Sequence, residues 1–270
     1  MTSAQVLGTL VVSLLVLGVF WRVTVRNRSL NWVDVGWVSS LSLAAAAAAL
    51  FGRGDVEQRA LVAFGPLLWS LRLGSMLWIQ RGLKEGEDGR YQALRRHWGE
   101  AQDRNIAILF VFEALLATVL AVPFFMVANH EGPATAWQWA AIALYVAAQV
   151  GEWISDRQLH AFKQDPQNRG RTCDRGLWRY SRHPNYFFEW LIWCAFAGLA
   201  VPTEGAVFAL AAPLSMLLFL TKVTGIPFAE AQALRSRGDD YRRYQERTSS
   251  FFPWFPKAER PEGTQAAEIR

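Results

Sequence analysis

Apolar residues along this chain come in seven blocks of roughly bilayer length, separated by short and strongly charged stretches. The blocks run over 6–21, 32–51, 60–79, 106–127, 136–154, 186–202 and 206–223, and the second contains the unbroken alanine run 44–49. A helix needs about 20 apolar residues to cross the hydrocarbon core, so each block predicts a crossing. The predicted fold is all-α, a polytopic membrane protein with seven transmembrane helices. It forms one domain over residues 1–256, with cofactor-binding loops on its cytosolic side. The tail 257–270 lacks apolar periodicity and is expected to be disordered. No Lys or Arg precedes the first block and no small-residue cleavage site follows it, so an anchor is expected rather than a cleaved signal.

Charge fixes the predicted orientation. Arg22, Arg26 and Arg28 follow the first block. Arg81, Lys84, Arg90, Arg95, Arg96 and Arg104 follow the third, and Arg157, Lys163, Arg169, Arg171, Arg175, Arg179 and Arg182 follow the fifth. The alternate loops hold only Arg53 and Arg59. Basic residues stay on the cytoplasmic side, which places the N-terminus outside and the C-terminus in the cytoplasm. The composition then reads as an average: 52% hydrophobic with 13 Trp, yet a mean hydropathy of only +0.09. The net charge of +5 would suit a nucleic-acid binder, but such a protein would not carry repeated bilayer-length blocks, so no nucleic-acid partner is expected. Two cysteines without CxxC spacing exclude a disulfide framework and a Cys-ligated zinc site; no metal site is expected. No internal repeat is visible, which argues against a repeat-built transporter.

An ionisable group at the centre of a span costs at least about 2.5–3.5 kcal/mol and must face the bundle interior or a wet cavity. Four stand out: Asp34, Arg72, Glu113 and Glu152. Asp34, in Trp32-Val33-Asp34-Val35-Gly36-Trp37, reads either as an acid complementing a helix start or as a proton donor in an intramembrane pocket. Arg72, Glu113 and Glu152 read first as structural ion-pair partners.

The densest chemistry lies between Asp156 and Glu189. After a hydrated, arginine-rich stretch comes Leu177-Trp178-Arg179-Tyr180-Ser181-Arg182-His183-Pro184-Asn185-Tyr186-Phe187-Phe188-Glu189. Proline suits the first turn of a helix, so the sixth helix is predicted to begin at Pro184, its positive dipole end available to phosphate or carboxylate. Asn185 and Glu189, four apart, share a face of that helix. The arginines alone would satisfy the positive-inside rule or bind anionic headgroups. A buried amide and acid on one face exceed what lipid anchoring needs, and point to a cofactor site. Further on, Glu230, Arg235, Arg237, Tyr241, Arg242, Arg243 and Tyr244 follow on an amphipathic helix interrupted at Gly238. The aromatic run 251–255 is expected to rest at the membrane interface or to fold over the cofactor as a lid.

The stretch 176–189, with its Arg182-His183-Pro184-Asn185-Tyr186 element and Glu189, resembles the C-terminal region of the steroid 5-alpha-reductase superfamily. Thr224-Gly225-Ile226-Pro227, Gly238-Asp239-Asp240-Tyr241-Arg242-Arg243-Tyr244, Asn31-Trp32-Val33-Asp34 and Arg95-Arg96-His97-Trp98-Gly99 are similar to its bacterial branch of unknown function. The resemblance runs over about 31–256. It implies a seven-helix enzyme that binds NADPH from the cytosol and reduces a C=C bond conjugated to a carbonyl. By the same resemblance Asp156, Asn185, Tyr186 and Glu189 hold the nicotinamide cofactor, and Lys163 stands where that family has an arginine. Tyr180, His183 and Tyr241 join the cofactor set, and charge adds Arg171, Arg179 and Arg182 as phosphate partners. Asp34, Trp37, Trp69, Arg72 and Glu113 are the expected substrate-facing residues, with Asp34 and Tyr186 catalytic. The steroid enzymes carry a Gln-Glu pair near Asp34 and a Tyr near Trp69; their absence here argues against a steroid 3-ketone.

The Arg-His-Pro-x-Tyr element also resembles the membrane isoprenylcysteine carboxyl methyltransferases, which use S-adenosylmethionine. Five arginines between 169 and 182 suit the pyrophosphate and 2′-phosphate of NADPH better than one carboxylate and a sulfonium. The expected function is therefore NADPH-dependent reduction of a lipophilic substrate entering from the bilayer. A methyltransferase and a non-enzymatic lipid-binding or transport protein stand as alternatives. The expected partners are that substrate and membrane lipids, and the expected location is a bacterial inner membrane.

Overall fold

The structure, a computed structural model, describes residues 2–79, 86–87 and 89–258. Arg81, Lys84 and residues 259–270 of the tail lie outside the described residues. All regular structure among the described residues is helical: α1 (Ser3–Asn27), α2 (Asn31–Phe51), α3 (Val56–Leu77), α4 (Gly89–Trp98), α5 (Gln102–Leu120), α6 (Val122–Ala128), α7 (Ala136–Gln164), α8 (Pro184–Leu199), α9 (Ala211–Leu218), α10 (Ile226–Arg237) and α11 (Asp239–Arg247). Five stretches are long and apolar enough to cross a membrane: Ser3–Asn27, Asn31–Phe51, Val56–Leu77, Tyr91–Ala128 and Ala206–Arg237. That is the signature of a membrane-embedded, multi-pass chain. The fifth and sixth predicted crossings form helices but do not join this set. Gln138, Gln149 and Glu152 dilute the hydropathy of α7, and α8 is only 16 residues long.

The chain divides into two compact units, Met1–Ala147 with Leu191–Leu218, and Ala148–Trp190 with Phe219–Arg270. In the first, α1 buries Thr9, Ser13 and Thr24 and exposes Leu7, Leu15 and Val19, the reverse of a helix bathed in water. Its partner α2 offers Gly36, Ser40, Ala44 and Ala48 at every fourth position, all buried. Small residues at that spacing let two helices approach closely in lipid, where packing replaces the hydrophobic effect. A Cβ on Gly36 would meet Phe20 at 2.9 Å.

The α2–α3 turn is equally close-fitted. Gly54 N–H donates to Ala128 O at 2.9 Å and Asp55 N–H to His130 O at 3.2 Å, and the Arg59 guanidinium closes the end of α2 on Ala49 O at 2.6 Å. A buried amide pair, Gln58 and Gln138, satisfies itself at 2.7 Å and 3.2 Å and reaches Leu199 O at 3.0 Å. Trp69, Trp193, Phe124 and Phe196 form an aromatic core in which Trp69 meets Trp193 and Phe124 meets Phe196 edge to face, and Trp69 and Trp193 are fully buried. Pro123 breaks the fourth predicted crossing into α5 and α6, because it lacks the N–H that would continue the ladder.

Candidate functional site

In the second unit, the segment from the end of α7 to the start of α8 folds back on α7. Leu177 N–H donates to the Gln158 side chain at 2.9 Å, and Trp178 Nε1–H to Ser155 O at 2.9 Å. Gly176 makes this close approach possible: its φ is +57°, and a Cβ there would lie 2.4 Å from the Gln158 amide. The same segment is also bound by the C-terminal residues. Arg182 N–H donates to Ser249 O at 2.8 Å, Ser181 Oγ to Phe251 O at 2.8 Å, and Trp254 N–H to Tyr180 O at 2.9 Å. The Tyr244 hydroxyl is directed at the carbonyls of Trp178 and Ser181. Residues 248–254 are thus strapped down by backbone bonds, while Phe252, Trp254 and Phe255 stay more than half exposed.

α8 begins at Pro184, as the proline predicted. Asn185 Nδ2 donates to Asp156 Oδ1 at 3.3 Å, and its Oδ1 accepts from Tyr186 N–H at 3.0 Å, which ties the helix start to α7. The buried His183 ring stacks on Tyr186 with centroids 5.4 Å apart and planes 13° from parallel. Glu230 on α10 gathers the donors around it: Arg182 Nε at 2.7 Å, His183 Nε2 at 3.3 Å and Gln245 Nε2 at 2.8 Å. Arg182 continues through Nη1 to Gln245 O at 2.9 Å and Thr248 O at 2.6 Å, closing the end of α11. Burial holds the His183 pKa below its ordinary 6.5, against the opposing pull of Glu230. Burial likewise pushes the Tyr241 hydroxyl upward, with Glu230 adding to it.

Of the residues the sequence nominated, Asp156, Arg182, His183, Asn185 and Tyr186 come together at the start of α8, and Glu189 lies buried one turn further along. Lys163, Arg171, Arg179 and Tyr180 are exposed. Arg182 is committed to a structural clamp rather than presented as an open phosphate ligand, because two of its nitrogens already serve a carboxylate and two helix-end carbonyls. Tyr241 is buried beneath Arg237, whose guanidinium lies 5.0 Å from the ring centroid. Glu230 was not nominated, although it is the one acid between Phe219 and Gly238 in a basic stretch.

In the first unit Asp34 accepts a hydrogen bond from the Tyr91 hydroxyl at 3.0 Å, and Tyr91 packs among Leu17, Leu30, Val33, Ile106 and Phe110. Tyr91 carried no periodic signal in a polar stretch, which is why the sequence did not single it out. The start of α2 is held by Leu30 N–H on Glu87 at 2.7 Å and by the Asn31 amide on Gly86 O at 3.0 Å; Arg95 pairs with Glu87 at 3.0 Å. Trp37 meets Trp69 edge to face at 5.7 Å. Arg72 and Glu113 are half-buried on α3 and α5.

A half-buried carboxamide, a stacked imidazole–phenol pair and the Asp156 carboxylate thus meet at the start of α8, on a unit rich in exposed arginine. Residues 20–248 match the family described as a protein of unknown function, DUF1295, and the chain belongs to that family. An uncharacterized protein of Schizosaccharomyces pombe is 29% identical over 287 residues, covering 93% of this chain and 80% of the yeast protein. No solved structure matches the chain.

Proposed function

We propose that the chain is a membrane-embedded reductase that uses NADPH to saturate a C=C bond conjugated to a carbonyl in a lipophilic substrate. The observation that carries this reading is the start of α8, where Asn185, Asp156, His183 and Tyr186 form a hydrogen-bonded and stacked cluster. The charge of the unit supports it. Residues 148–190 and 219–270 hold 16 basic and 12 acidic side chains, so this unit carries +4 of the chain's net charge of +5. An anionic dinucleotide suits such a surface, through charge-assisted hydrogen bonds to arginine. Asn185 and Asp156 offer donor and acceptor groups for a carboxamide, and the resemblance to the steroid 5-alpha-reductases assigns those positions to the nicotinamide.

Bound there, NADPH supplies the hydride. The protein's part is position and a proton. Asp34 is the acid proposed to stabilise the enolate, and the Tyr91 hydroxyl on one of its oxygens fixes the carboxyl group in orientation. Trp37, Trp69, Arg72 and Glu113 complete the proposed substrate set, and Tyr186 remains a catalytic candidate through its place beside His183. In this reading α7 and α8 supply two further crossings, making seven, with the N-terminus outside and the arginine-rich loops in the cytosol. A bacterial inner membrane is proposed as the location of this chain.

Two substitutions test the site. Asn185→Ala and Glu189→Gln in the purified protein should each weaken NADPH binding about tenfold, the loss of one hydrogen bond to a bound group, with the helical bundle still folded. Unchanged affinity in both would refute the site. Oxidation of NADPH on addition of a lipid extract would then identify the substrate class.

A further inference from the structure

The strap that closes the second unit carries large aromatic side chains that it does not bury. Phe251 turns inward, but Phe252, Trp254 and Phe255 are 55%, 72% and 76% exposed. They are held that way. Ser249 O accepts from Arg182 N–H and Phe251 O from the Ser181 hydroxyl, while the Trp254 and Lys257 N–H groups donate to Tyr180 O and Arg247 O, each at 2.9 Å. Pro253 and Pro256 fix the backbone on either side of Trp254 and Phe255. The outward side chains therefore form a fixed surface, and a contiguous apolar surface marks contact with something other than water.

α8 provides a ruler for that surface. The Phe252 ring lies 6.1 Å from Phe187 and 5.7 Å from Trp190, centroid to centroid. Those residues follow Pro184, so at 1.5 Å per residue Phe252 sits roughly 5–9 Å past the start of the helix. Phe255 packs edge to face on Tyr180, just before that start, at 6.0 Å. The surface thus straddles the first turns of α8, over a depth comparable with one headgroup layer, roughly 5–8 Å. Its composition fits that layer. Trp and Tyr concentrate where an apolar body and a polar edge are both satisfied. Arg179, beside Tyr180, and Lys257, two residues beyond Phe255, are exposed. Their charges suit phosphate and disfavour the hydrocarbon core.

We infer that Phe252, Trp254 and Phe255, flanked by Tyr180, Arg179 and Lys257, form a foot that inserts into the headgroup layer of the bilayer beside α8. A bilayer is the one partner that a membrane-embedded chain always has beside it, and the basic residues add attraction to anionic lipid. Because the strap is bonded to Tyr180 and Arg182, the foot fixes the start of α8 at headgroup depth, within reach of water on one side and lipid on the other. The inference needs no nucleotide and no reaction. It shares with the reading above only the entry of α8 into the bilayer.

The test uses the full chain in nanodiscs of phosphatidylcholine with phosphatidylglycerol. A polarity-sensitive fluorophore is attached through Trp254→Cys or Phe255→Cys on a Cys194→Ala background, Cys173 being buried. Glu246→Cys, at an exposed position of α11, is the water reference. At both strap positions the emission should shift to the blue. A nitroxide near the headgroup end of a lipid chain should quench it about twofold or more above the reference, and aqueous iodide about twofold or more below. Iodide quenching equal to the reference, without lipid quenching, would overturn the foot. So would shielding from both quenchers, which would mean that a second copy or another part of the chain covers the surface. The wild-type chain labelled at half-buried Cys194, on α8, separates this inference from the crossing it assumes. Lipid quenching there with none at the strap defeats the foot alone; iodide quenching at all three positions defeats the entry of α8 as well.

Discussion

Glu230 organises the second unit with one carboxylate that serves an arginine, an imidazole and an amide. Replacing it by Gln removes the charge that all three partners meet and leaves a guanidinium, an imidazole and an amide to compete for one oxygen. Discounted for partial exposure, the expected loss is roughly 2–3 kcal/mol, seen as a lower unfolding midpoint. An unshifted midpoint would contradict the role. His183 adds a pH dependence. Its folded pKa lies below 6.5, so on acidification the unfolded chain binds a proton first. The contribution is complete above about pH 6.5 and is lost as pH falls towards the folded value. His183→Gln should flatten the acid limb of the stability profile, measured as midpoint against pH. Asn185, Tyr186 and His183 were legible because they adjoin a proline that announces a helix. Glu230 was not, since its partner Arg182 lies 48 positions away and no local pattern links them.

At the scale of elements, sequence foresaw the break between α10 and α11 at Gly238. There the backbone has φ +52° and ψ −122°, a conformation that penalises a side chain, and a Cβ would meet nothing within 4 Å. Gly238→Ala therefore isolates backbone strain, with an expected loss of roughly 1–3 kcal/mol measured by thermal unfolding. A neutral result would mean that the α10–α11 corner relaxes without cost. The 251–255 run was expected to rest on the membrane or to act as a lid. Backbone bonds from Arg182 and Trp254, with one from the Ser181 hydroxyl, strap this segment down, leaving Phe252, Trp254 and Phe255 outward and Phe251 buried. Such pairing is invisible in sequence because main-chain donors leave no compositional trace.

For the whole molecule, the apolar blocks gave the helices and their approximate limits, since membrane crossing constrains composition strongly. They did not show that α7 is diluted by polar residues or that α8 is short, because both were read by block length and not by what each side chain packs against. Seven crossings require the two termini on opposite faces. Reporter fusions at each end should report an external N-terminus and a cytoplasmic C-terminus; both ends on one face would leave an even number of crossings. The division into two units has a functional counterpart in the proposal, with most of the excess positive charge in one and the Asp34–Tyr91 pair in the other.

Direct ligand binding to the purified, full-length protein tests the central claim. Titrated side by side, NADPH should bind saturably and more tightly than NADH, and its affinity should fall as salt rises, because exposed and half-buried arginines carry the interaction. Saturable binding of S-adenosylmethionine with none of NADPH would contradict the account and favour a methyltransferase; binding of neither would favour a protein that meets lipid headgroups alone.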